Sequence, residues 1–194
     1  VLLSGGLDSS LLVALLAEAG VPDIKTFSIG FEDQPEEKGN EFEYSDPVAE
    51  MYKTDHHKFL IPNAEVLQRL PEAVGSMAEP MFGQDAVAFY LLSERVSKSV
   101  KVVQSGQGAD EVFAGYFWYG KMLASAGKPL ERFSSWYFDR DHDEYLQTFD
   151  LAYHVDDVTS KYVSEALSTE HSDTFMDAVL RFGTTTLVVS DPVK

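Results

Sequence analysis

The opening of the chain limits its fold more than any other feature does. Residues 1–3 are Val-Leu-Leu, residues 4–6 are Ser-Gly-Gly, and residues 7–19 are apolar nearly all round. The short apolar run predicts a strand, and the longer segment predicts a buried helix. Two consecutive glycines between them predict a tight turn. The chain therefore begins with strand, turn and helix.

Predicted strands and helices continue to alternate along the first part of the chain. Strands are expected at 24–29, 56–61 and 100–104, and helices at 41–53, 64–77, 85–98 and from Ala109 onward. Within 41–53, either Asp46 caps a helix that has Pro47 at its first position, or Pro47 kinks the helix. Such alternation predicts a parallel sheet with helices on both faces, which binds ligands beyond the carboxyl ends of its strands.

The second part of the chain is acidic and aromatic. Residues 117–182 show no strand-like alternation and are expected to be helical, whereas residues 184–190 favour a strand because they are rich in β-branched side chains. We therefore predict an α/β domain over residues 1–125 and a mostly helical continuation over 126–194. Since Val1 stands inside a predicted strand and no closing element precedes Lys194, we expect a fragment of a longer protein.

Composition excludes several kinds of function. The 194 residues contain no cysteine, which rules out disulfides, thiolate metal sites and a thiol nucleophile. A formal net charge of −17 disfavours a nucleic-acid partner, because phosphate backbones are bound through Lys and Arg. No apolar stretch approaches the roughly 20 residues of a membrane span, and no signal segment opens the chain. A cytoplasmic protein is expected.

The first glycine turn has the composition of an anion site. Backbone N–H groups at a helix start lack partners inside the helix and carry partial positive charge. Ser4, Ser9 and Ser10 add hydroxyl donors, and glycine lets the backbone approach phosphate oxygens closely. Asp8 would repel phosphates unless a cation lay between them, so the combination predicts Mg²⁺. A Gly-Gly pair alone is more often an ordinary turn, but the whole string from Ser4 to Ser10 is far more specific.

A second glycine turn follows the predicted strand at 100–104. Residues 105–108 are Ser-Gly-Gln-Gly, and an acidic pair, Asp110 and Glu111, begins the next helix. Taken alone, the acidic pair is equally well explained as first-turn acids favoured by the helix dipole. Because both turns lie at strand ends, Asp8 and Asp110 could instead share one Mg²⁺ that bridges phosphates.

Two other groups of residues are better explained by structure. The adjacent His56 and His57 lie on a predicted strand, so they point to opposite faces and are poorly placed to bind one zinc ion. Trp118 and Tyr119 could form the floor of an acceptor pocket, but helix packing is the favoured interpretation.

The motifs resemble those of a known family. The string Ser-Gly-Gly-Leu-Asp-Ser-Ser at 4–10 is neither a Walker A loop nor a dinucleotide fingerprint. It resembles the pyrophosphate loop of the N-type ATP pyrophosphatases, whose fold is adenine nucleotide alpha hydrolase-like. Residues 105–116 are similar to the second signature of the asparagine synthetases. Shorter segments match that family in the same order and extend the resemblance to about residue 125: 25–31, 41–44, 54–57, 70–72 and 78–80.

The resemblance implies an ATP-dependent, amide-forming ligase. Such an enzyme adenylates an acceptor carboxylate, releases pyrophosphate, and transfers ammonia that a glutaminase domain makes from glutamine. That upstream domain and the C-terminal remainder would be missing here. Carried over position by position, the resemblance gives the adenosine contacts as Leu2, Ile29, Ser105 and Gly106, and the pyrophosphate contacts as Ser4, Gly5, Gly6, Asp8 and Ser9. Ser10 and Gln107 are further cofactor-binding residues. Mg²⁺ would be held by Asp8 and Asp110, and the catalytic residues would be Asp8, Asp110 and Glu111.

The acceptor is the least constrained part of this prediction. Residues 85–93 and 103–108 look closest to the N-acetylglutaminylglutamine amidotransferases, and Gln107 replaces the acid usual in asparagine synthetases. Alternatives are asparagine synthesis from aspartate, another ligase on the same scaffold such as a β-lactam-forming enzyme, and a non-catalytic ATP-binding regulatory module. The resemblance also admits a homodimer.

Overall fold

The computed structural model describes residues 1–35, 38–77, 86–168 and 172–188. The chain forms two compact units: residues 1–106, and the residues that follow Gly106. The resembling segment at 78–80 and the predicted helical residue Asp85 lie outside the described residues. In the part of the chain that the structure describes, no helix is long and apolar enough to cross a membrane.

The first unit alternates helices and strands as predicted. Its elements are α1 (Leu7–Glu18), β1 (Lys25–Phe31), α2 (Phe42–Tyr52), β2 (Asp55–Ile61), α3 (Asn63–Ser76) and α4 (Ala86–Val96). The two strands pair in parallel, with Lys25 opposite Asp55 and Phe31 opposite Ile61. Leu2 adds a single parallel bridge to Phe27, so the amino-terminal run continues the sheet beside β1.

Helices cover both faces of this sheet, which confirms the predicted arrangement. On one face, Val1 and Leu3 pack with Val13 of α1 and Ala49 of α2. On the other, Phe27 packs with Leu92 and Val96 of α4, and Ile61 packs with Ala73 of α3 and Leu91 of α4. Phe27 is 1% exposed, and burying a side chain of that size contributes about 1.5–3 kcal/mol.

The predicted strand at 100–104 is wrong for the described structure, where these residues form no regular strand. Their connection to the sheet is a hydrogen bond from the Leu2 N–H to the Gln104 carbonyl, 2.9 Å long. Val102 is 83% exposed. A β-branched run becomes a strand through its neighbours. Among the described residues, the regular sheet has two strands, β1 and β2.

The bounds of helix α2 decide whether Pro47 begins the helix or lies inside it. The helix begins after Glu41 and runs through Pro47 to Tyr52, so Asp46 is not its cap and that alternative is wrong. The Asp46 carboxylate instead accepts two hydrogen bonds from the Lys58 ammonium, at 2.9 and 3.0 Å. This ion pair ties α2 to β2.

The second unit is helical, as predicted for residues 117–182. Its helices are α5 (Ala109–Phe113), α6 (Phe117–Ala124), α7 (Pro129–Tyr137), α8 (His142–Thr148), α9 (Val158–Leu167) and α10 (Phe175–Phe182), with a short 3₁₀ turn at Leu151–Tyr153. A single core joins α6, α7, α9 and α10, and it is made of Tyr119, Met122, Phe133, Val163, Leu167, Ala178, Val179 and Phe182. Tyr119 is therefore a packing residue.

The predicted strand at 184–190 is also wrong wherever the structure describes it. Gly183–Leu187 form a π-helix that continues α10, and Val188 is helical. The Thr184 hydroxyl donates to the Leu180 carbonyl at 3.0 Å, and the Thr185 hydroxyl donates to the Arg181 carbonyl at 2.7 Å. The two hydroxyls are thus satisfied inside a helix, although such bonds to the preceding turn do not themselves favour it. Packing decides the conformation instead, because Leu187 packs against the core of the second unit and Gly183 lies against Glu111 and Tyr119. Residues 189 and 190 lie outside the described residues.

Candidate functional site

The first glycine turn is pressed against the start of α2. Gly5 has φ +89°, which non-glycine residues rarely adopt. A Cβ on Gly5 would lie 2.3 Å from the carbonyl carbon of Tyr44 and 2.5 Å from the nitrogen of Ser45. Both the backbone conformation and the space therefore require glycine. This contact fixes where the loop enters α1.

Two serines brace the same loop from within. The Ser4 hydroxyl accepts a hydrogen bond from the Gly6 N–H at 3.2 Å and lies 3.0 Å from the Ser9 hydroxyl. Ser9 Oγ accepts from the Ser4 N–H and donates to the Gly6 carbonyl, both at 3.3 Å. Ser9 is 6% exposed. The hydroxyls of Ser4 and Ser9 therefore stiffen the turn, and their predicted contact with phosphate stays a prediction.

The start of α1 keeps the properties of an anion site. Gly6 is the residue before the first helical turn, and among the described residues no side-chain capping hydrogen bond is present there. Those groups and the helix dipole give the loop partial positive charge. Ser10 Oγ is buried and has no hydrogen-bond partner among the described residues. Uncapped amides and a free hydroxyl at one turn suit a phosphate group.

Asp8 supplies the carboxylate of this turn. It lies in the first turn of α1 and is partly exposed. Among the described residues, no cluster of three or more Asp, Glu, His or Cys forms a ready-made metal site. Proteins commonly bind Mg²⁺ through one or two carboxylates while phosphates and water complete its coordination, so Asp8 has the chemistry of one such ligand.

The beginning of the second glycine turn meets the first. A Cβ on Gly106 would lie 3.1 Å from the Cβ of Asp8 and 3.2 Å from the nitrogen of Ser9. Two residues earlier, Gln104 accepts the hydrogen bond from Leu2. The structure thus brings Gly106 to the first turn of α1, at the point where the sequence predicts a nucleotide.

The other predicted nucleotide-binding residues are less closely grouped. Leu2 and Ile29 are partly buried and pack beside Phe27, Leu92 and Val96. Ser105 and Gln107 are exposed. Gln107 belongs to the second unit, whereas Ser105 belongs to the first.

In the second unit, the acidic pair occupies two different environments. Helix α5 has only five residues and is flanked by left-handed residues, Gly108 with φ +87° and Ala114 with φ +57°. Asp110 is partly exposed, whereas Glu111 is 4% exposed. The Tyr116 hydroxyl donates to Glu111 Oε1 at 3.1 Å. Because Asp8 and Asp110 belong to separate units, the Mg²⁺ ion shared between them stays a prediction.

Burial and the Glu111 carboxylate affect two neighbouring tyrosines. Desolvation, followed by the nearby charge of Glu111, raises the pKa of Tyr116 and of Tyr119 well above its ordinary value. Both phenols therefore stay protonated at neutral pH, so Tyr116 remains a donor. Sequence reasoning did not single out Tyr116 or the α2 residues Tyr44 and Ser45. The only available signal was that Tyr44 and Tyr116 stand in segments that resemble the family, and that Ser45 directly follows one of them.

His56 and His57 each contact side chains of neighbouring elements. His56 Nδ1 lies 2.8 Å from the Thr26 hydroxyl, and its Nε2 lies 3.7 Å from the Asp46 carboxylate. His57 stacks on Phe27, with ring centroids 5.1 Å apart, and its Nε2 lies 3.2 Å from Asp55. Adjacent side chains on β2 thus contact different partners, as strand geometry requires.

Comparison with known proteins gives consistent matches. Residues 1–161 match the family model described as asparagine synthase. The chain is 35% identical over 133 residues to asparagine synthetase [glutamine-hydrolyzing] 1 of Bacillus subtilis, covering 69% of this chain and 20% of that protein. It is 36% identical over 129 residues to the rat asparagine synthetase, covering 62% and 22%. The match to the Cricetulus griseus enzyme is 35% over 130 residues, again covering 62% and 22%. The chain therefore spans about a fifth of the length of these relatives.

Proposed function

Because the chain belongs to the asparagine synthase family, we propose that it is the ATP-using part of a glutamine-dependent amide ligase. The observation that carries the proposal is the turn at 4–10, where an uncapped helix start, a glycine pressed on α2 and Gly106 meet. The fold we propose is that of the N-type ATP pyrophosphatases, with the core at 1–125 and a helical continuation at 126–194.

In this proposal, ATP lies across the edge of the first unit. The turn at 4–10 receives the β- and γ-phosphates through its free amides and the Ser10 hydroxyl. The backbones of Leu2, Ile29, Ser105 and Gly106 contact adenosine. Asp8 and Asp110 would hold Mg²⁺, which would neutralise charge on the departing pyrophosphate.

The chemistry needs positioning more than a protein nucleophile. A carboxylate oxygen of the acceptor attacks the α-phosphorus of ATP. The bond between the α-phosphorus and the oxygen that bridges it to the β-phosphorus breaks, and pyrophosphate leaves. Ammonia then attacks the acyl carbon, loses a proton and displaces AMP, which leaves an amide. The chain's residues orient the nucleotide and stabilise charge that develops during transfer.

The acceptor and the partners are the finer part of the proposal. N-acetylglutaminylglutamine is our first candidate acceptor, because Gln107 removes a charge at the second turn, and aspartate is the alternative. Ammonia would come from a glutaminase domain of the whole protein, which would act in the cytoplasm and could form a homodimer.

AMP formation by the full-length protein tests this proposal. The protein is incubated with ATP, Mg²⁺, ammonia and either N-acetylglutaminylglutamine or aspartate, and AMP, pyrophosphate and the amide are measured. Acceptor-dependent AMP in equal amount to the amide supports the ligase. ATP binding without AMP under every condition would contradict it and favour a regulatory module. ADP as the product would place the cleavage at the wrong phosphate.

A further inference from the structure

We infer that Gly115 and Tyr116 are positioning residues that separate the acidic pair of α5, directing Asp110 to a ligand and anchoring Glu111 in the protein. The inference rests on the proposed function, since that function gives Asp110 its role at Mg²⁺. It adds two residues to the site and assigns different tasks to the two neighbouring acids.

Gly115 leaves room for the Asp110 carboxylate. The chain turns back after α5 at the left-handed Ala114, and the Gly115 N–H donates to the Asp110 carbonyl at 3.0 Å. A Cβ on Gly115 would lie 2.1 Å from Asp110 Oδ1 and 3.0 Å from its Cγ. The carboxylate thus occupies the space that any side chain at position 115 would take.

Space, and not backbone conformation, makes glycine necessary here. Gly115 is absent from the glycines with positive φ, so alanine could adopt its backbone conformation without strain. The closest obstacle is the end of a side chain, which can rotate away. A substitution at 115 should therefore displace the Asp110 carboxylate while leaving the helices of the second unit folded.

Tyr116 holds the other acid. Glu111 is 4% exposed, and its Oε1 accepts the Tyr116 hydroxyl at 3.1 Å, whereas Oε2 has no hydrogen-bond partner among the described residues. A Cβ on Gly183 would lie 3.4 Å from the Glu111 Cγ, so the π-helix packs on the same side chain. The Tyr116 ring is itself fixed by stacking on Trp118, with centroids 4.2 Å apart.

The two contacts together orient α5. Successive residues of a helix point about 100° apart, so a glutamate fixed inside the unit holds the preceding aspartate on a different face. We therefore assign Glu111 a positioning role that acts through Asp110, in place of the catalytic role that the family resemblance implies for it.

Gly115→Ala in the full-length protein tests the inference, with Gly120→Ala as its matched control. A Cβ on Gly120, in α6, would meet nothing within 4 Å. For Gly115→Ala we expect the Mg²⁺ concentration that gives half-maximal AMP formation to rise at least tenfold, while Tm stays within a few degrees of wild type. Gly120→Ala should leave both unchanged or raise Tm. Nucleotide binding measured in EDTA should be equal in all three proteins.

Two further variants separate the possible failures. Asp110→Asn should raise the Mg²⁺ requirement at least as much as Gly115→Ala. If it does not, the metal role in the proposed function is wrong. If Asp110→Asn raises the Mg²⁺ requirement and Gly115→Ala behaves like Gly120→Ala, only the positioning inference is overturned.

Tyr116→Phe keeps the stacked ring and removes the hydroxyl that donates to Glu111, and it should raise the Mg²⁺ requirement severalfold. An unchanged requirement would remove Tyr116 from the inference.

Discussion

On Gly106, the position that a Cβ would occupy lies 3.1 Å from the Cβ of Asp8. Residues 98 positions apart in the chain thus meet at the first turn of α1, where the free amides lie. The contact closes the candidate nucleotide site within the first unit. A substitution of Gly106 therefore tests the site through a contact in the tertiary structure, independently of the motif at 4–10.

Gly106→Ala should impair nucleotide binding at a moderate cost in stability. The new methyl group must push Asp8 and the nitrogen of Ser9 by a few tenths of an ångström, because they lie 3.1 and 3.2 Å away. Overpacking of this kind costs about 1–3 kcal/mol. Urea unfolding and ATP titration of the same protein would measure both effects.

Gly75→Ala is the control for that experiment. Gly75 lies in α3, and a Cβ there would meet nothing within 4 Å. Alanine should stabilise the helix by up to about 1 kcal/mol and leave ATP affinity unchanged. Equal ATP affinity in Gly106→Ala and Gly75→Ala would show that Gly106 is not part of the nucleotide site.

Gly5→Ala should be much more damaging than a glycine substitution that is strained but unhindered. Gly5 combines φ +89° with a Cβ position 2.3 Å from the backbone of Tyr44, whereas Gly20 has φ +75° and open space. The left-handed conformation alone costs about 1–2 kcal/mol. We expect Gly20→Ala to lose about that much and Gly5→Ala to lose at least about 3 kcal/mol, since backbone must move. Similar urea midpoints for the two variants would contradict the packing of the loop on α2.

Asp8→Asn should abolish Mg²⁺-dependent AMP formation without unfolding the protein. The amide keeps the shape of the side chain but removes the charge that Mg²⁺ needs, and we expect a loss of about 100-fold or more, corresponding to about 2.7 kcal/mol. Asp23→Asn is a suitable control, because Asp23 is exposed and its φ of +49° suits asparagine. A wild-type rate in Asp8→Asn would remove Asp8 from the metal site.

Stability should fall as the pH drops below about 6.5, in part through His56. Burial is the main cause that lowers the pKa of His56, and the nearby Asp46 opposes the shift. Because the pKa is lower in the folded state, the unfolded chain takes up the proton first, starting near the ordinary value of about 6.5. The folded state therefore loses stability between that pH and the lower folded pKa. Above about pH 7.5 this effect should vanish.

His56→Gln should flatten the urea midpoint between pH 7.5 and 5 relative to wild type. His142→Gln serves as the control, because His142 lies on α8 in the other unit, outside the contacts of β2. A wild-type pH slope in His56→Gln would assign the pH dependence to other groups. One candidate is Asp55, whose pKa is lowered chiefly by Lys25 and then by His57. Because its pKa is lower in the folded state, its ionised carboxylate stabilises the fold. That stabilisation is lost only in more acidic solution, below about pH 4.

The order of elements in the first unit could be predicted because it depends on local patterns. The apolar run at 7–19 gave α1, and apolar strands bounded by glycine or proline gave β1 and β2 with ends within about a residue or two. The candidate site stays a prediction of the same local kind, since glycine, serine and aspartate at 4–10 have few other uses in that combination.

The sequence by itself thus determined the turn at 4–6, helix α1 and the helical character of the second unit, whereas Leu2 forms a single bridge in place of the strand predicted at 1–3. Only the tertiary structure decided that Gly106 rests on Asp8, that Gly115 makes room for Asp110, and that Thr184 and Thr185 belong to a helical turn. The reason is that a β-branched run differs from other residues by no more than about 1 kcal/mol in strand preference. Packing on residues far away in the chain outweighs a preference of that size.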